Sequence, residues 1–522
     1  MKNKYLVTTP IYYVNDKPHI GHAYTSIAAD VMARYMRLIG RDVLFLTGTD
    51  EHGQKVEKSA AAAGVAPQEF TDRVSQNFRD LTQTLNLSTD QFIRTTEPRH
   101  AAACQALWQR LVDSDQIYLG SYAGWYAVRD ETFYAEADLV NGKAPTGADV
   151  EWLEEPSYFF RLSAWQDKLL AFYEQNPDFI APRARRNEVL SWVKSGLIDL
   201  SISRTSFKWG IKVPNDKANS HVMYVWFDAL INYITACGFP NQNGADWGYW
   251  PADLHLVGKD ILRFHAVIWP AMLMAAGLPT PKRVFAHGWW TNEGQKISKS
   301  LGNVIDPLAL VAQFGLDPVR YFMLREVDFG NDADFSQNQL ISRVNTDLAN
   351  GLGNLAQRTL ALVQKNCGGM VPNYDPNIIQ RKVLDSRTEV LDHDIIRDIK
   401  MLIPDLTKKI EKQDFFSALD QIWQLVTLCN RYIDEQAPWT LAKTDRERMN
   451  QVLYILLFAI RAIALSIQPF MPDSAAKLLD QLAVPDNARN VTLENIAEGL
   501  EPGTPLPPPL GVFPRLETLE KK

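Results

Sequence analysis

The stretch Pro10 to Asp30, PIYYVNDKPHIGHAYTSIAAD, constrains the fold more than any other, and within it the four residues His19, Ile20, Gly21 and His22. Tyr5 to Thr9 is short, apolar and β-branched, whereas Ala23, Ile27, Val31, Tyr35 and Met36 recur at helical spacing. The pattern predicts a strand that feeds a loop, and a loop that opens a helix. Two imidazoles three residues apart at a helix start lie on one face. Unpaired backbone N–H groups and the positive end of the helix dipole favour an anion there, so phosphate is the natural guest. Gly21 removes the side chain between them and lets a flat group such as adenine press against the backbone. Taken alone, the pair equally describes histidines that cap or decorate a helix.

Asp42 to Asp50, DVLFLTGTD, reads as a second buried strand, followed by Glu51, His52, Gly53 and another helix. Strand, helix, strand is the rhythm of a parallel α/β sheet, whose ligands sit beyond the carboxyl ends of the strands. Asp50 stands at such an end, either as a helix cap or as a carboxylate for an ammonium group. From about Glu97 to His221 the rhythm breaks into helices, short aromatic strands (GWYAVRDETFYAEADL) and the turn-rich NGKAPTGAD, as an insertion would. The sheet is expected to resume at Met223 with MYVWFDALINYI. It continues through DLHLVGKD, Asp253 to Asp260, the apolar helix LRFHAVIWPAMLMAAG and a strand at Arg283 to His287. From about Asp306 no convincing strand remains. Helical patterns at Gln339 to Lys365, Asp385 to Ile410, Ser417 to Gln436 and Arg448 to Ile467 predict a bundle, with GGMVPNYDPN as a loop within it and a Pro-rich tail from Glu501 to Pro514. Neither GxGxxG between a strand and a helix nor GxxxxGK[ST] occurs, which disfavours a dinucleotide oxidoreductase and a P-loop enzyme.

Composition narrows the class. A chain of 522 residues suggests about three domains. The net charge of -7 argues against wholesale coating by nucleic acid, so any RNA contact must use local basic surface such as Arg183, Arg185 and Arg186. Cys104, Cys237, Cys367 and Cys429 are scattered with no CxxC, as in a reducing compartment. MKNKYLVTTP has no apolar or Arg-rich leader and no later stretch approaches ~20 uninterrupted apolar residues, which predicts a cytoplasmic protein with no membrane span.

Far downstream stand Lys296, Ile297, Ser298, Lys299 and Ser300, followed by Leu301, Gly302 and Asn303. Together, in this order and at this separation, HIGH and KISKS resemble the two signatures of class I aminoacyl-tRNA synthetases. Ile297 replaces the usual methionine and leaves both lysines in place. The resemblance implies ATP-dependent activation of an amino acid, in which a carboxylate attacks the α-phosphate and expels pyrophosphate. That carboxylate is already ionised, so catalysis reduces to positioning and neutralising phosphate charge. His19 and His22, with Lys296 and Lys299 on a loop expected to move, would supply the catalytic groups, Lys299 foremost. ATP would be bound by these four with Gly21 and Asp260. Asp260, after Gly258 and Lys259, matches the family position beside the ribose; it is equally placed to cap a helix.

The chain is further similar to the methionyl branch of that family, from the first strand to about Gln468. Carried over singly, the amino-acid pocket would be Ile11, Tyr13, Asp50, Trp226, Ala229, Leu230, Tyr233, Phe264, His265 and Trp269, with Asp50 on the substrate ammonium group. An aromatic cage suits a polarizable thioether. Leu230 departs from the proline of some relatives. The stretches GLGNLAQR and NRYIDEQAPWTLAK are similar to anticodon-reading motifs and imply Asn354, Arg358 and Trp439, where bases can stack on an indole. Cysteine knuckles that bind zinc in part of the family are replaced by Ala127, Asp130, Ala144 and Gly147, so no zinc is expected. Magnesium is expected with ATP.

The implied architecture is α/β: a Rossmann-like parallel-sheet catalytic domain (1–96 and 222–305) with a connective insertion (97–221). A linking, stem-contact segment (306–350), an α-helical anticodon-binding bundle (351–500) and a tail (501–522) follow. Implied partners are L-methionine and methionine tRNA, initiator and elongator, with a monomeric enzyme because no dimerising tRNA-binding module follows the bundle. Two alternatives stay open. One is a class I ligase for another small hydrophobic or sulfur amino acid, although the insertion is short for a leucine enzyme and Cys237 lacks a partner at ligand spacing. The other is a catalytically silent tRNA-binding relative.

Overall fold

The computed structural model describes residues 3–14, 17–130, 132–134, 136–216, 218, 220–297, 303–375 and 390–517. They fall into two compact units: an α/β unit, Asn3–Ala29 with Val43–Gly288, and a largely helical unit, Asp30–Asp42 with Trp289 onward.

The chain lays down β1 (Lys4–Thr8), β2 (Tyr12–Tyr13), α1 (Ile20–Leu38), β3 (Asp42–Asp50), α2 (Gln54–Ala62), α3 (Pro67–Thr84), β4 (Gln91–Arg94) and α4 (Pro98–Asp113), all in the α/β unit except Asp30 to Asp42, which count with the helical unit. Eight of the nine positions of β3 are buried, the pattern of a parallel strand covered on both faces. Gly48 within it is required by contact: a Cβ there would sit 2.0 Å from the Ile93 carbonyl oxygen of β4. The stretch 97–221 then forms a hairpin of β5 (Ile117–Ala127) and β7 (Glu151–Phe160), with β6 (Thr132–Tyr134) between them in sequence. α5 (Gln166–Gln175), β8 (Ile180–Ala181), α6 (Arg183–Lys194), β9 (Leu200–Ser201) and β10 (Ser203–Arg204) follow. Of the arginines suggested as a basic patch, Arg185 pairs with Glu188 at 2.9 Å and Arg186 donates to the Tyr173 carbonyl at 3.1 Å.

The run MYVWFDALINYI does not rejoin the sheet as expected. Only β11 (Val222–Met223) is extended, antiparallel to β10, and the rest forms α7 (Val225–Leu230) and α8 (Asn232–Thr235). Nearly every position of the run is buried, so it carries no period by which helix and strand differ. β12 (Leu254–Gly258) and β13 (Val284–His287) complete the sheet, in the order β2-β3-β1-β12-β13-β8 with β4 on β3. β8 pairs in parallel with β13, so the inserted stretch returns one short strand to the sheet. After β1 the chain builds β3 on one side and later β12 on the other, which makes the carboxyl ends of β1 and β12 a topological switch point.

In the helical unit β14 (Trp290–Asn292) turns back through β15 (Gln295–Lys296) and also pairs with β16 (Ala333–Phe335), a strand the sequence pattern did not reveal. Three residues are too few to show a period of two. Helices follow at Asn354–Asn366, Asp392–Glu411, Phe415–Gln436 and Arg446–Ile467. Past its charged first turn the last is apolar on every side and long enough to cross a bilayer, yet that stretch is buried as the core of the bundle. Its one internal arginine, Arg461, spends its donors on the carbonyls of Asn495 and Glu498 at 2.7 and 2.8 Å. Arg320, fully buried, likewise donates to the carbonyls of Pro469 and Phe470 and to Asp30.

Candidate active site

His19 is the residue just before α1, and its imidazole caps the helix: Nδ1 accepts from the Gly21 amide at 3.1 Å. His22 folds back so that its Nδ1 accepts from the His19 amide, also at 3.1 Å. The two rings stack with centroids 3.8 Å apart. Because each Nδ1 is an acceptor, each neutral imidazole carries its proton on Nε2. Desolvation, reinforced by the His19 ring, holds His22 well below the usual imidazole range. Desolvation also lowers His19, opposed by Asp260. At neutral pH the pair therefore offers two N–H donors at a helix N-terminus, and the capping role leaves the donors unspent. A Cβ on Gly21 would come within 2.9 Å of His19 Cε1, so any other residue there displaces the first imidazole.

Two rings without any signature of their own hold His22 in place. Tyr12 meets it edge-on at 4.7 Å and Phe78 of α3 at 5.3 Å, while the Tyr12 hydroxyl bonds Ser26 at 2.7 Å. His287, at the end of β13, bonds the Thr25 hydroxyl of α1 at 2.7 Å. Asp260 lies in the single turn after β12, at the switch point.

Asp50 ends β3, is buried, and faces Tyr13 across the β2–β3 register. Lys55 rests over the Tyr13 ring at 5.4 Å. Ile11, Tyr13, Trp226 and Phe264 are half-buried and pack on the same apolar cluster, which contains Leu230, Tyr233 and Trp269. Trp226 and Phe264 stack at 3.9 Å, nearly parallel at 8°. His265 Nδ1 donates to the Ile261 carbonyl at 3.0 Å, so its Nε2 must accept from the Tyr233 hydroxyl at 2.7 Å. Burial pushes His265 down to about 4, which keeps it a neutral acceptor. Ala229 and Leu230 are buried on α7, and the buried Trp269 indole N–H has no partner among the described residues. Of the expected pocket residues, Trp226, Tyr233, Phe264, His265 and Trp269 thus form one chain of ring contacts, with Asp50 at a strand end of the same unit.

Lys296 is placed by its backbone in β15, opposite Thr291. Ser298, Lys299, Ser300, Leu301 and Gly302 lie outside the described residues. Asn292 donates to the Asn303 carbonyl at 3.0 Å and so ties together the two sides of that segment. In the helical unit Arg358 sits over the Trp439 ring at 5.5 Å and pairs with Asp434 at 2.6 Å; Asn354 is exposed one turn earlier on the same helix. Trp439 follows Pro438 and is 44% exposed, unusual for an indole.

Sequence reasoning passed over the residues around Asp50. Glu51, fully buried, accepts two bonds from Arg94 at 2.7 and 2.9 Å and others from Thr49 and Thr96. His52 bonds Asp228 at 2.6 Å. Three consecutive titratable residues at a strand end were the available signal.

A family described as class I tRNA synthetases (M) matches residues 5–360, and the anticodon binding domain of methionyl tRNA ligase matches residues 386–522. The methionine–tRNA ligases of Rickettsia felis and Rickettsia bellii are 55% and 56% identical over 518 residues, covering 99% of this chain and 99% and 100% of theirs. Among solved structures, a Mycobacterium tuberculosis methionyl-tRNA synthetase in complex with methionyl-adenylate superposes with a TM-score of 0.93 at 50% identity, covering 99% of this chain and 100% of its own.

Proposed function

The chain belongs to the methionyl class I tRNA synthetases and is a methionine–tRNA ligase, and from that premise we propose how its own residues divide the work. L-Methionine and ATP give methionyl-adenylate and pyrophosphate; the aminoacyl group then passes to the 3′ end of methionine tRNA. In the first step a carboxylate oxygen bonds the α-phosphorus and the bond to the bridging oxygen of pyrophosphate breaks, carrying its electron pair away. In the second, a ribose hydroxyl attacks the carbonyl, AMP leaves and the hydroxyl proton is released.

His19 and His22 donate from Nε2 to the phosphates, and Lys296 and Lys299 neutralise the charge that builds as pyrophosphate departs. Asp260 accepts from the ribose hydroxyls. Asp50 holds the substrate ammonium, while Trp226, Tyr233, Phe264, His265 and Trp269, with Ile11, Tyr13, Ala229 and Leu230, enclose the thioether. The observation that carries this reading is the pair of Nδ1-capped, neutral imidazoles: it turns a helix start into a phosphate-facing donor pair in the unit that also holds Asp50 and the aromatic cluster. Magnesium enters with ATP as part of the substrate. Asn354, Arg358 and Trp439 read the anticodon of methionine tRNA, initiator and elongator.

The enzyme works without zinc. This is supported by Ala127 and Ala144, which occupy knuckle positions as buried members of a small apolar cluster with Ala148; elemental analysis finding stoichiometric metal would contradict it. It acts as a cytoplasmic monomer, checked by light scattering. The activity itself is tested by exchange of labelled pyrophosphate into ATP across the standard amino acids without tRNA. Exchange with methionine alone is expected. Exchange with another amino acid would discard the aromatic cage, and no exchange would favour a silent tRNA-binding protein.

A further inference from the structure

Asp228 is a fully buried carboxylate in the middle of α7, two residues after Trp226 and immediately before Ala229. Both of its oxygens are bonded: Oδ2 to His52 Nδ1 and Oδ1 to His100 Nε2, each at 2.6 Å. His100 belongs to α4 and is itself fully buried, with Nδ1 on the Thr235 hydroxyl of α8 at 3.1 Å. A carboxylate only accepts, so each imidazole must carry a proton on the nitrogen that faces Asp228. With these partners the carboxyl is held at about 2 despite burial that opposes ionisation.

Cys104 lies beside this group, its sulfur 3.3 Å from His100 Nε2. The set is not arranged around an ion. Two atoms bound to one tetrahedral zinc at ~2.0 Å stand about 3.3 Å apart, whereas His100 Nε2 and Asp228 Oδ1 are at hydrogen-bond distance. Burial and Asp228 also push the Cys104 thiol well above its usual range, so it stays protonated.

The relay joins two segments to which the proposed reading gives opposite ends of one substrate. His52 is two residues past Asp50, and Asp228 shares a helix of only six residues with Trp226, Ala229 and Leu230. The segment after Asp50 is fixed from other sides too: Arg94 grips Glu51, and Trp209 donates from its indole to the Glu51 carbonyl at 2.6 Å while accepting from the Gly53 amide at 3.1 Å. An ionised carboxylate is costly to bury unless its partners are well aligned. What that alignment secures here is the spacing between a strand end and a pocket wall.

We propose that Asp228, through His52 and His100, is a positioning residue of the amino-acid site, setting where Asp50 stands relative to the aromatic wall so that ammonium and thioether are engaged together. The inference rests on the assignment of Asp50 and Trp226 to the methionine pocket. Misplacement of a binding group by about 1 Å is enough to cost orders of magnitude.

The test is pyrophosphate exchange on the full chain, with KM for methionine and for ATP measured separately. An asparagine amide can occupy the place of Nδ1 and a glutamine amide that of Nε2. His52→Asn and His100→Gln should keep KM for methionine within about twofold of the parent, whereas His52→Ala and His100→Phe should raise it about tenfold or more with KM for ATP unchanged. The two positions are probed in separate variants, so one that fails to fold leaves the other to decide. A folded His52→Ala or His100→Phe with unaltered KM for methionine would overturn the proposal. So would a loss confined to kcat, or amide variants no better than the deletions. Asp50→Asn separates the two levels: if it leaves KM for methionine unchanged, the pocket assignment fails; if it raises it while the relay variants do not, the relay alone fails.

Discussion

The two units solve the problem of buried polarity differently. Eight of the nine histidines belong to the α/β unit, and six of these, His52, His100, His221, His255, His265 and His287, are buried. The helical unit has one histidine, His393, exposed on the first turn of a helix, and two of its buried polar positions, Arg320 and Arg461, are guanidinium groups on backbone carbonyls, the first also on Asp30. An arginine is charged at every accessible pH and holds a fold permanently. A neutral imidazole can donate from one nitrogen and accept on the other, which suits the proposed site, where neutral donors and acceptors work beside carboxylates such as Asp50 and Asp228. The contrast fits the proposed division of labour, in which activation falls to the α/β unit and tRNA reading to the bundle.

The largest expected effect removes charge from the activation step. Lys299→Ala should lower pyrophosphate exchange about 10²- to 10³-fold, while binding of methionine tRNA, measured by filter retention, stays within about twofold because no anticodon contact is lost. Equal loss of both would blur the division.

Acid should distinguish the units next. His265 falls from an ordinary 6.5 to about 4 in the folded protein, and His22 and His255 lie well below the ordinary value, all through burial. Their folded values lie below the unfolded ones, so the unfolded chain takes up protons first. The stability is complete above about pH 6.5 and is lost as pH falls through the folded values; His265 alone accounts for about 3 kcal/mol. Most of the fourteen tryptophans are in the α/β unit, so tryptophan fluorescence should change at a higher pH than the helical circular dichroism of the bundle. A single coincident transition would show that the histidines do not set the acid limit.

The parts of the molecule with a local signature were legible in the sequence. DVLFLTGTD is β3 from end to end, the helix after HIGH runs as its spacing required, and the bundle helices expected from Ser417 and Arg448 begin at Phe415 and Arg446, whereas the one expected from Asp385 is described only from Asp392, Asp385 lying outside the described residues. Val225 to Leu230 was not legible because burial on all sides erases the period. Nor was the relay: Asp228 lies 176 residues from His52 and 128 from His100, and only the folded sheet brings them together. His19 shows how one reading of a residue need not exclude another, since it caps α1 with Nδ1 and so leaves Nε2 as the donor proposed for a phosphate.

The smallest predicted effect tests the division most directly. In Trp439→Ala, pyrophosphate exchange and charging of methionine tRNA are measured side by side on the same preparation. Stacking of one base is worth about 1–3 kcal/mol, so charging should fall about tenfold or more in kcat/KM while exchange is unchanged. If both fall together, Trp439 is part of the bundle's packing and the separation of activation from tRNA reading fails.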